Sequence, residues 1–537
     1  MRTRGTFQFR SLRAAGVLVA LVFSVACFSA QSPAPQVLNW GNGTEVQDLD
    51  PHIVSGVPEH HIISELFEGL VTVHPQTLEP LPAQAESWTI SKDGKIYTFK
   101  IRKDAKWTNG ENVTANDFVY SWRRLVDPKT AAKYAYQGYY IKNGEAINKG
   151  KIKDLKQLGV KAVDAHTLQV ELEAPAPFFL GVLYHYSLYP VHQKTVEKFG
   201  QRWTRPENIV SNGPFKLESW QLNKVLTVVR NPLYWDVAKV QLSKVNYWPV
   251  EKSDTEEKMF RAGELHVTNE IPLPKIPFWQ HSKKDVYQQH PYLGTYYYRL
   301  NVTKKPLTDK RVRRALNLTI DREDIVKHVT RAGQIPALSF TPPGTGGFTP
   351  EGKLPPKVTP KTIAEAKKLL TEAGYPDGKG LPPIEILYNT LESHKTIAEA
   401  IQQMWKKNLG IEVKLFNQEW KVYLATMQTL NYQIARAGWI GDYNDPLTFL
   451  DMFITNGGNN ETGFSNKEYD KLVRDVKHET DQAKRLKMFQ RLEDILMEEL
   501  PIVPIYTYTR VYLKDPKVAG WYPNVMDYHP LKFVSLK

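Results

Sequence analysis

Hydrophobic residues occupy every second position in several short stretches of the chain, which is the pattern of strands with one buried face. Tyr97, Phe99 and Ile101 are one example, because polar residues separate them. Similar alternation, or a short hydrophobic run, predicts further strands at 37–40, 168–172, 225–229 and 245–247. Residues 62–73 predict a helix that leads into a strand.

The section 359–440 has the clearest pattern. Thr359 followed by Pro360 predicts the start of a helix, and Gly374 predicts its end. The spacing then predicts, in chain order, a strand at 384–388, a helix at 397–409, a strand at 411–415, a helix at 420–430 and a strand at 432–439. This alternation favours an α/β domain with a mainly parallel sheet. A helix at 486–496 and a long strand at 502–513 are predicted near the end.

Residues 1–30 have the features of an export signal. Four arginines precede the hydrophobic run at 14–30, which is shorter than the roughly 20 residues that cross a bilayer. An uncleaved membrane anchor is the alternative. The single cysteine, Cys27, follows Ser24-Val25-Ala26, a loose match to the lipobox of bacterial lipoproteins. Acylation of Cys27 and simple cleavage therefore both stay open.

The composition is that of an ordinary folded protein. Among 537 residues, 42% are hydrophobic and 24% are charged, which excludes a disordered chain and a polytopic membrane protein. The formal net charge is +13, but acidic residues are mixed with the lysine clusters, so we expect a solvated surface and no nucleic-acid binding. Because no cysteine follows residue 27, the folded part has no disulfides, as in large bacterial periplasmic proteins.

Several catalytic signatures are missing from the sequence. It contains no G-x-S-x-G, no H-E-x-x-H and no P-loop. His60, His61 and Glu65 can share one helix face as metal ligands, but a solvated face is the favoured interpretation. We therefore predict neither a metal nor a cofactor, and no enzymatic activity.

Asp442 follows the strand predicted at 432–439. Ligands of open parallel sheets bind outside the carboxyl ends of the strands, so a carboxylate there can hold a cationic group. Arg436, six residues earlier, can hold an anionic one, and molecules with both an amine and a carboxylate suit this pair. The competing interpretation is a turn capped by Asp442 and Asn444, and these residues alone favour the turn.

Longer motifs make the chain resemble the oligopeptide-binding proteins of bacterial ABC importers, a family that also contains dipeptide and nickel binders. The resemblance covers essentially the whole chain after the export segment. Its motifs are GTEVQDLDPH at 43–52, LFEGL at 66–70, AESW at 85–88, RKDAKW at 102–107, DFVYSW at 117–122, NGP at 212–214 and NQEW at 417–420. Each motif alone is weak, but together they are specific.

The resemblance implies an α/β fold, a two-lobed periplasmic-binding-protein clamp of the class II type with an additional smaller α+β domain. Carried onto this chain, residues 1–30 are the signal peptide, with the lipobox at Cys27. Lobe I comprises 31–67, 192–293 and 510–537. The small domain is 68–191, and lobe II is 294–509.

The resemblance also implies roles for individual residues. Asp442 would bind the α-ammonium group of a peptide. The peptide carboxylate would be bound by Arg436, His394 and Arg331. The peptide main chain would pair with Gly56, Val57 and Gly438. The walls of the side-chain pockets would be formed by Tyr134, Tyr297, Trp420 and Trp439. For each of these aromatic residues, packing in the core is the alternative.

The chain departs from the family pattern at several positions. Gly294 and Ile440 stand where the enterobacterial proteins carry a disulfide. Thr330 replaces a lysine that meets longer peptides, with Arg331 beside it, and Met427 and Ser55 replace a further arginine and a glutamate. Preferences for ligand length and side chain therefore stay open.

The resemblance implies a monomeric, non-catalytic protein that captures short peptides and delivers them to the permease subunits of an ABC importer. The expected location is the periplasm of a Gram-negative bacterium, with a lipid anchor through Cys27 if that residue is acylated. The alternatives are the same fold binding murein peptide, a nickel chelate, haem or an oligosaccharide, an exported hydrolase, and a surface sensor or adhesin.

Overall fold

The structure is a computed structural model and describes residues 35–537. The export segment and Cys27 lie outside the described residues, so the predictions about them stay predictions. Within 35–537, none of the helices combines the length and the hydrophobicity needed to cross a membrane.

The described residues form strands and helices throughout their length. The strands are β1 (Val37–Gly41), β2 (Val71–Val73), β3 (Pro80–Pro82), β4 (Ala85–Ile90), β5 (Ile96–Ile101), β6 (Val160–Asp164), β7 (Thr167–Glu171), β8 (Phe215–Gln221), β9 (Val225–Arg230), β10 (Lys244–Trp248), β11 (Tyr287–Leu300), β12 (Ile335–Pro336), β13 (Ile384–Asn389), β14 (Val413–Gln418), β15 (Ile434–Ile440), β16 (Ile502–Leu513), β17 (Val518–Ala519) and β18 (Ser535–Leu536). The α-helices are α1 (Val57–Leu66), α2 (Ala115–Val126), α3 (Gly144–Asn148), α4 (Phe179–Val182), α5 (Gln193–Phe199), α6 (Ser253–Arg261), α7 (Ile276–Ser282), α8 (Lys310–Leu318), α9 (Arg322–Asp324), α10 (Pro360–Glu372), α11 (Glu392–Leu409), α12 (Trp420–Gln428), α13 (Leu447–Leu450), α14 (Lys467–Val476) and α15 (Gln482–Glu499).

The helices and strands predicted from the hydrophobic pattern are confirmed, with ends that shift by a few residues. The start of α10 shows why its prediction was secure. Thr359 and Thr362 exchange side-chain and backbone hydrogen bonds in a capping box, and Pro360 occupies the first helical position. Gly410, with φ of +70°, ends α11 in the left-handed conformation that favours glycine.

Three larger sheets organise the chain. One has the strand order β1-β10-β9-β8, a second β4-β5-β7-β6, and the third β12-β16-β11-β15-β13-β14. In the third sheet β13 pairs parallel with β14 and β15. Helices α11 and α12 connect these strands in the chain and provide the crossovers that parallel pairing requires. The expectation of a mainly parallel sheet is wrong for the sheet as a whole, because β11, β12 and β16 join it antiparallel from distant parts of the chain.

The long strands β11 and β16 connect the third sheet to the first. Their pairing shifts register between Pro291 and Thr295, which is a bulge in the ladder. Just after β16, Lys514 forms an isolated β-bridge with Val267, and Val267 forms a second isolated β-bridge with Trp40 of β1. The pairing of β11 with β16 thus extends from the third sheet towards the first, and the strands can bend at the bulge.

A buried ion pair ties the first part of the chain to α2. Arg124 donates to both carboxylate oxygens of Asp50, at 3.0 and 2.6 Å, and Trp203 Nε1 donates to the same carboxylate at 2.9 Å. The Asp50 side chain is only 4% exposed. Burial alone raises the pKa of Asp50, but the charge and the hydrogen bonds of Arg124 outweigh it and lower the pKa below its ordinary value.

Replacing Asp50 by asparagine should lower the free energy of unfolding by about 3 kcal/mol at pH 7, because Arg124 would keep its charge without a buried partner. Urea unfolding measures this loss. Because the pKa of Asp50 is lowered on folding, its contribution is present above about pH 3.9 and is lost as the pH falls through the folded value. The deficit of D50N should therefore shrink below pH 4.

Asp104→Asn, at an exposed aspartate, is the matched control and should leave stability unchanged. Equal urea midpoints for D50N and D104N would contradict this account.

Candidate ligand-binding site

A cavity of about 170 Å³ lies at the carboxyl end of β15. Its walls come from distant parts of the chain, namely the start of α1, the segment 184–186, the end of β15 and the segment 526–528. Seven of the residues predicted from the sequence line it together: Gly56, Val57, Tyr134, Trp420, Gly438, Trp439 and Asp442. The fold thus brings together residues that lie up to 386 positions apart in the sequence.

The carboxylate of Asp442 accepts hydrogen bonds from the segment 136–137, which does not itself line the cavity. Gln137 Nε2 donates to Asp442 Oδ2 at 2.9 Å, and the Tyr136 hydroxyl donates to the same oxygen at 3.4 Å. The backbone N–H of Asp442 donates to Thr448 Oγ1 at 2.8 Å. The turn interpretation, which the local sequence favoured, is wrong for Asp442, because its carboxylate turns to Gln137 and Tyr136 instead of its own backbone. Asn444 likewise accepts from the distant Gly346 N–H.

His185 approaches the other oxygen of Asp442. Its Nε2 lies 3.4 Å from Asp442 Oδ1. The Ser187 backbone N–H donates to His185 Nδ1, so the ring proton of the neutral imidazole belongs on Nε2, facing the carboxylate. Burial, and then His60, lower the pKa of His185 well below its ordinary value, so the ring is neutral near pH 7.

Asp442 is therefore a buried carboxylate surrounded by neutral donors. It is 8% exposed, and among residues 35–537 the only basic side chain within 4.0 Å of it is His185. Burial, and then the nearby Asp451, raise the pKa of Asp442 well above its ordinary value. A bound cation would reverse this effect, because it would stabilise the charged carboxylate.

One edge of β15 is free beside the cavity. The strand pairs along its whole length with β11, but with β13 only at Ile434 and Ala435. In the described sheet, the second edge from Arg436 to Ile440 has no strand partner. This edge can form a β-ladder with an extended main chain.

Gly438 lies in the middle of this free edge and has a packing constraint. A Cβ atom there would come within 2.5 Å of the Tyr508 hydroxyl and 3.2 Å of Arg436 Nη2. Gly56 has a similar constraint on the opposite wall, where a Cβ would come within 1.8 Å of Glu59 Oε2. Glycine at both positions lets polar side chains approach the main chain closely.

Arg436 and His394 lie at the far end of β15, outside the cavity. The Arg436 guanidinium donates to the Tyr508 hydroxyl at 2.8 Å and to Asn389 Oδ1 at 3.3 Å, and it stacks over the ring of Tyr296 at 4.7 Å. His394 Nδ1 lies 3.4 Å from the Tyr296 hydroxyl. Within the described residues no carboxylate lies within 4.0 Å of Arg436, and its Nε has no hydrogen-bond partner. Arg436 therefore has no direct ion pair, although its charge acts on the buried Glu270 carboxyl and lowers the pKa of that group against the larger effect of burial.

Tyr297 and Arg331 lie away from this arrangement. Tyr297 is fully buried against Phe340 in the core, as the alternative interpretation of the aromatic residues has it. Arg331 is exposed at a left-handed position, with φ of +56°, and its Nε donates to the His328 carbonyl. Neither side chain lines the cavity.

Three contacts of Asp442 were not predicted from the sequence, namely Tyr136, Gln137 and His185. The runs Tyr134-Ala135-Tyr136-Gln137 and Tyr184-His185-Tyr186 are dense in aromatic and polar residues, and this was the available signal. The predicted solvated face at His60, His61 and Glu65 is wrong, because His61 and Glu65 are buried. His61 contacts Asn42, His60 contacts Ser64 and Glu65 accepts from the Leu531 N–H. No cluster of three metal-ligating side chains occurs in residues 35–537.

Comparisons with known proteins identify the family of the chain. The model of the bacterial extracellular solute-binding proteins, family 5, matches residues 79–461. The periplasmic oligopeptide-binding protein OppA of Salmonella typhimurium is 43% identical over 532 residues, which covers 95% of both chains. Haemophilus influenzae OppA, solved in complex with the peptide RPPGFSPFR, is 38% identical with a TM-score of 0.90, covering 94% of this chain and 99% of that one.

A third relative has been solved in two forms. The murein tripeptide-binding protein MppA of Escherichia coli is 40% identical and matches with a TM-score of 0.90 over 94% of this chain and 99% of that one. Its unliganded open form matches with a TM-score of only 0.62, covering 94% and 98%. The present structure thus resembles the peptide-bound relative more than the open one, and its arrangement is called closed below. The expected fold class, a two-lobed clamp with an additional smaller domain, is confirmed.

Replacing Asp442 by asparagine should raise the free energy of unfolding of the ligand-stripped protein by at least about 1 kcal/mol at pH 8, because the amide removes a buried charge that has no cation. Because folding raises the pKa of Asp442, wild type has no penalty below about pH 3.9, an increasing penalty from there up to the folded pKa, and a constant one above it. The advantage of D442N in urea unfolding should thus grow from pH 5 to pH 8.

Asp445→Asn is the matched control for this substitution. Asp445 accepts two hydrogen bonds from Arg485, at 2.6 and 3.0 Å, so its loss should destabilise the protein. If D442N destabilised the stripped protein as D445N does, Asp442 would be a structural ion-pair residue, contrary to this account.

Proposed function

Because the chain belongs to the bacterial extracellular solute-binding proteins of family 5, we propose that it binds short peptides with a free amino terminus in the cleft beside β15. Binding needs no catalytic group or cofactor, and we expect the peptides to be released unchanged. Its relatives include two proteins named for oligopeptides and one named for murein tripeptide.

The observation that carries this proposal is the buried, locally uncompensated carboxylate of Asp442. A peptide α-ammonium would supply the missing cation and three hydrogen-bond donors. Charge-assisted hydrogen bonds contribute about 1.5–3 kcal/mol each when they are protected from water. The ammonium group would thus be the anchor of the ligand.

The free edge of β15 supports an extended ligand. Arg436 lies six residues before Asp442, so the two Cα positions are separated by about 20 Å at about 3.3 Å per residue. The Arg436 guanidinium folds back over Gly438, which shortens the distance between the two charges. A short peptide would place its ammonium at Asp442, its main chain along β15 and its carboxylate towards Arg436 and His394. Recognition through the main chain would explain tolerance of different side chains.

The lobe boundaries are part of the same proposal. Lobe I would comprise 31–67, 192–293 and 510–537, the small domain 68–191, and lobe II 294–509. The boundary at 293/294 falls inside the register shift of the β11–β16 ladder, which supports its use as a hinge. Ligand contacts with both lobes would then shift the population towards the closed form.

We further propose an extracytoplasmic location and a partnership with an ABC permease. The predicted export segment and the periplasmic relatives support this location. A Gram-negative periplasm, a monomeric state and acylation of Cys27 belong to the same proposal. Mass spectrometry of the mature protein purified from its native membrane fraction tests the acylation directly.

Free peptides should stabilise the ligand-stripped protein, and N-acetylated peptides of the same sequence should not, because acetylation removes the ammonium that Asp442 requires. Thermal shift with pooled di-, tri-, tetra- and pentapeptides measures this difference. A ligand at 100 times its Kd adds about 2.7 kcal/mol to the stability of the folded state. D442N should lose the response to free peptides.

Equal responses to free and acetylated pools would rule out Asp442 as the ammonium site. Binding of murein tripeptide alone, with no response to any pool, would identify the specialised function suggested by the similarity to MppA. Mass spectrometry of the recovered peptides reports any cleavage, which would reveal a hydrolase.

Arg436→Gln should weaken the binding of tripeptides by about tenfold or more, because a buried carboxylate would lose its charged partner. Calorimetry with free and C-terminally amidated tripeptides measures this effect, and the amidated forms should be little affected. Arg474→Gln, at an exposed arginine of α14, is the control. Loss of affinity for amidated and free peptides alike would assign Arg436 a structural role.

A further inference from the structure

The two sides of the cleft touch each other directly as well as enclosing the cavity. On one side lies the segment 133–140, and on the other lie the segments 442–443 and 458–461, which follow β15. Hydrogen bonds across this boundary include Tyr140 OH to Tyr443 OH at 2.8 Å and Asn459 Nδ2 to Tyr136 OH at 3.2 Å. These contacts belong to the closed form whether or not a ligand is present.

Glu461 is the centre of the most strongly charged of these contacts. Arg299, which lies on β11 of its own lobe, donates to Glu461 Oε2 at 2.6 Å. Lys133, from the opposite side, donates to Oε1 of the same carboxylate at 3.4 Å. The side chains of Lys133, Glu461 and Arg299 are 16%, 12% and 10% exposed. The triad is therefore mostly shielded from water, where ion pairs are stronger than on an open surface.

The backbone is shaped to permit this approach. At Gly458 a Cβ atom would come within 2.6 Å of the Lys133 carbonyl oxygen, so only glycine allows the two segments to lie this close. The Tyr432 hydroxyl also bonds to the Glu461 carbonyl oxygen, which fixes the loop that carries the carboxylate. Glu461 is thus held in place by its own lobe, and Lys133 is the partner that arrives on closure.

None of the three triad residues lines the cavity at Asp442. Any effect they have on ligand binding must act through the closure of the cleft. Closing also removes water from Lys133, and this burial lowers the pKa of Lys133 although Glu461 opposes the shift. The cost of this desolvation is recovered only while Glu461 is charged and in place.

We propose that Lys133, Glu461 and Arg299 form a latch that holds the two sides of the cleft together without touching the ligand, and so multiplies the affinity for every ligand by the same factor. The inference rests on the proposed function for its ligands, but the latch itself is a property of the closed protein. By linkage, contacts that favour the binding-competent form raise apparent affinity in proportion to its population.

Lys133→Met removes the charge of the latch and keeps its hydrophobic stem. Calorimetry with three free peptides that differ in length and first residue should show a loss of affinity of roughly three- to tenfold that is the same for all three. Lys133→Glu should weaken binding further, because it places two carboxylates together. Lys129→Met, at an exposed lysine nearby, is the matched control and should bind as wild type does.

A double-mutant cycle identifies the partner. In the Glu461→Gln background, Lys133→Met should cause no further loss, because Lys133 would face only Arg299 and a neutral amide. Unchanged affinity in both Lys133 variants, losses that differ between peptides, or an undiminished loss in the Glu461→Gln background would each overturn the proposal. Urea unfolding confirms that each variant is folded.

Small-angle scattering of the ligand-stripped protein tests the latch without any ligand. The radius of gyration of K133E should exceed that of wild type, and equal values would overturn the latch. If wild type binds none of the peptides, the proposed function fails and this scattering measurement alone decides the latch.

Discussion

A carboxylate buried without a nearby cation is the constraint on which the rest of this site depends. Asp442 is contacted by a glutamine, a tyrosine and a neutral histidine, all of which lie about 260 to 310 positions earlier in the chain. These groups donate hydrogen bonds but supply no charge. Burial therefore raises the pKa of Asp442, and a cation that enters beside it would favour the charged carboxylate.

The same constraint couples recognition to closure. With the proposed lobe boundaries, the donors to Asp442 lie on one side of the cleft, and the carboxylate and the free edge of β15 lie on the other. A ligand that completes the site must contact both sides, which is the condition for a binding-driven change of population. The triad at Glu461 adds a second set of contacts across the boundary, away from the ligand. Affinity and selectivity can then be adjusted separately, since the latch makes no contact with the side chains of the ligand.

The arrangement explains how one site can accept varied ligands. An ammonium group, an extended main chain and a carboxylate occur in every unmodified peptide, and the proposed partners of these groups are Asp442 just after β15, the free edge of β15, and Arg436 on β15. Glycine at positions 56 and 438 keeps polar groups close to the main chain on both walls. The similarity to oligopeptide-binding and murein tripeptide-binding proteins fits a scaffold whose main-chain recognition is shared and whose side-chain pockets differ.

The sequence by itself determined the local elements and pointed to candidate residues for a ligand anchor. Capping residues and hydrophobic spacing act over a few positions, so α10, α11 and the strands around them were predictable, and motif resemblance pointed to Asp442 and Arg436. Only the tertiary structure decided which groups surround Asp442, that Tyr297 packs in the core, and that β11 and β16 make the large sheet mixed. These features depend on contacts between residues hundreds of positions apart, such as Gln137 with Asp442, and no local pattern encodes such a pairing. The charge balance of the site is likewise a property of burial, which exists only once the chain is folded.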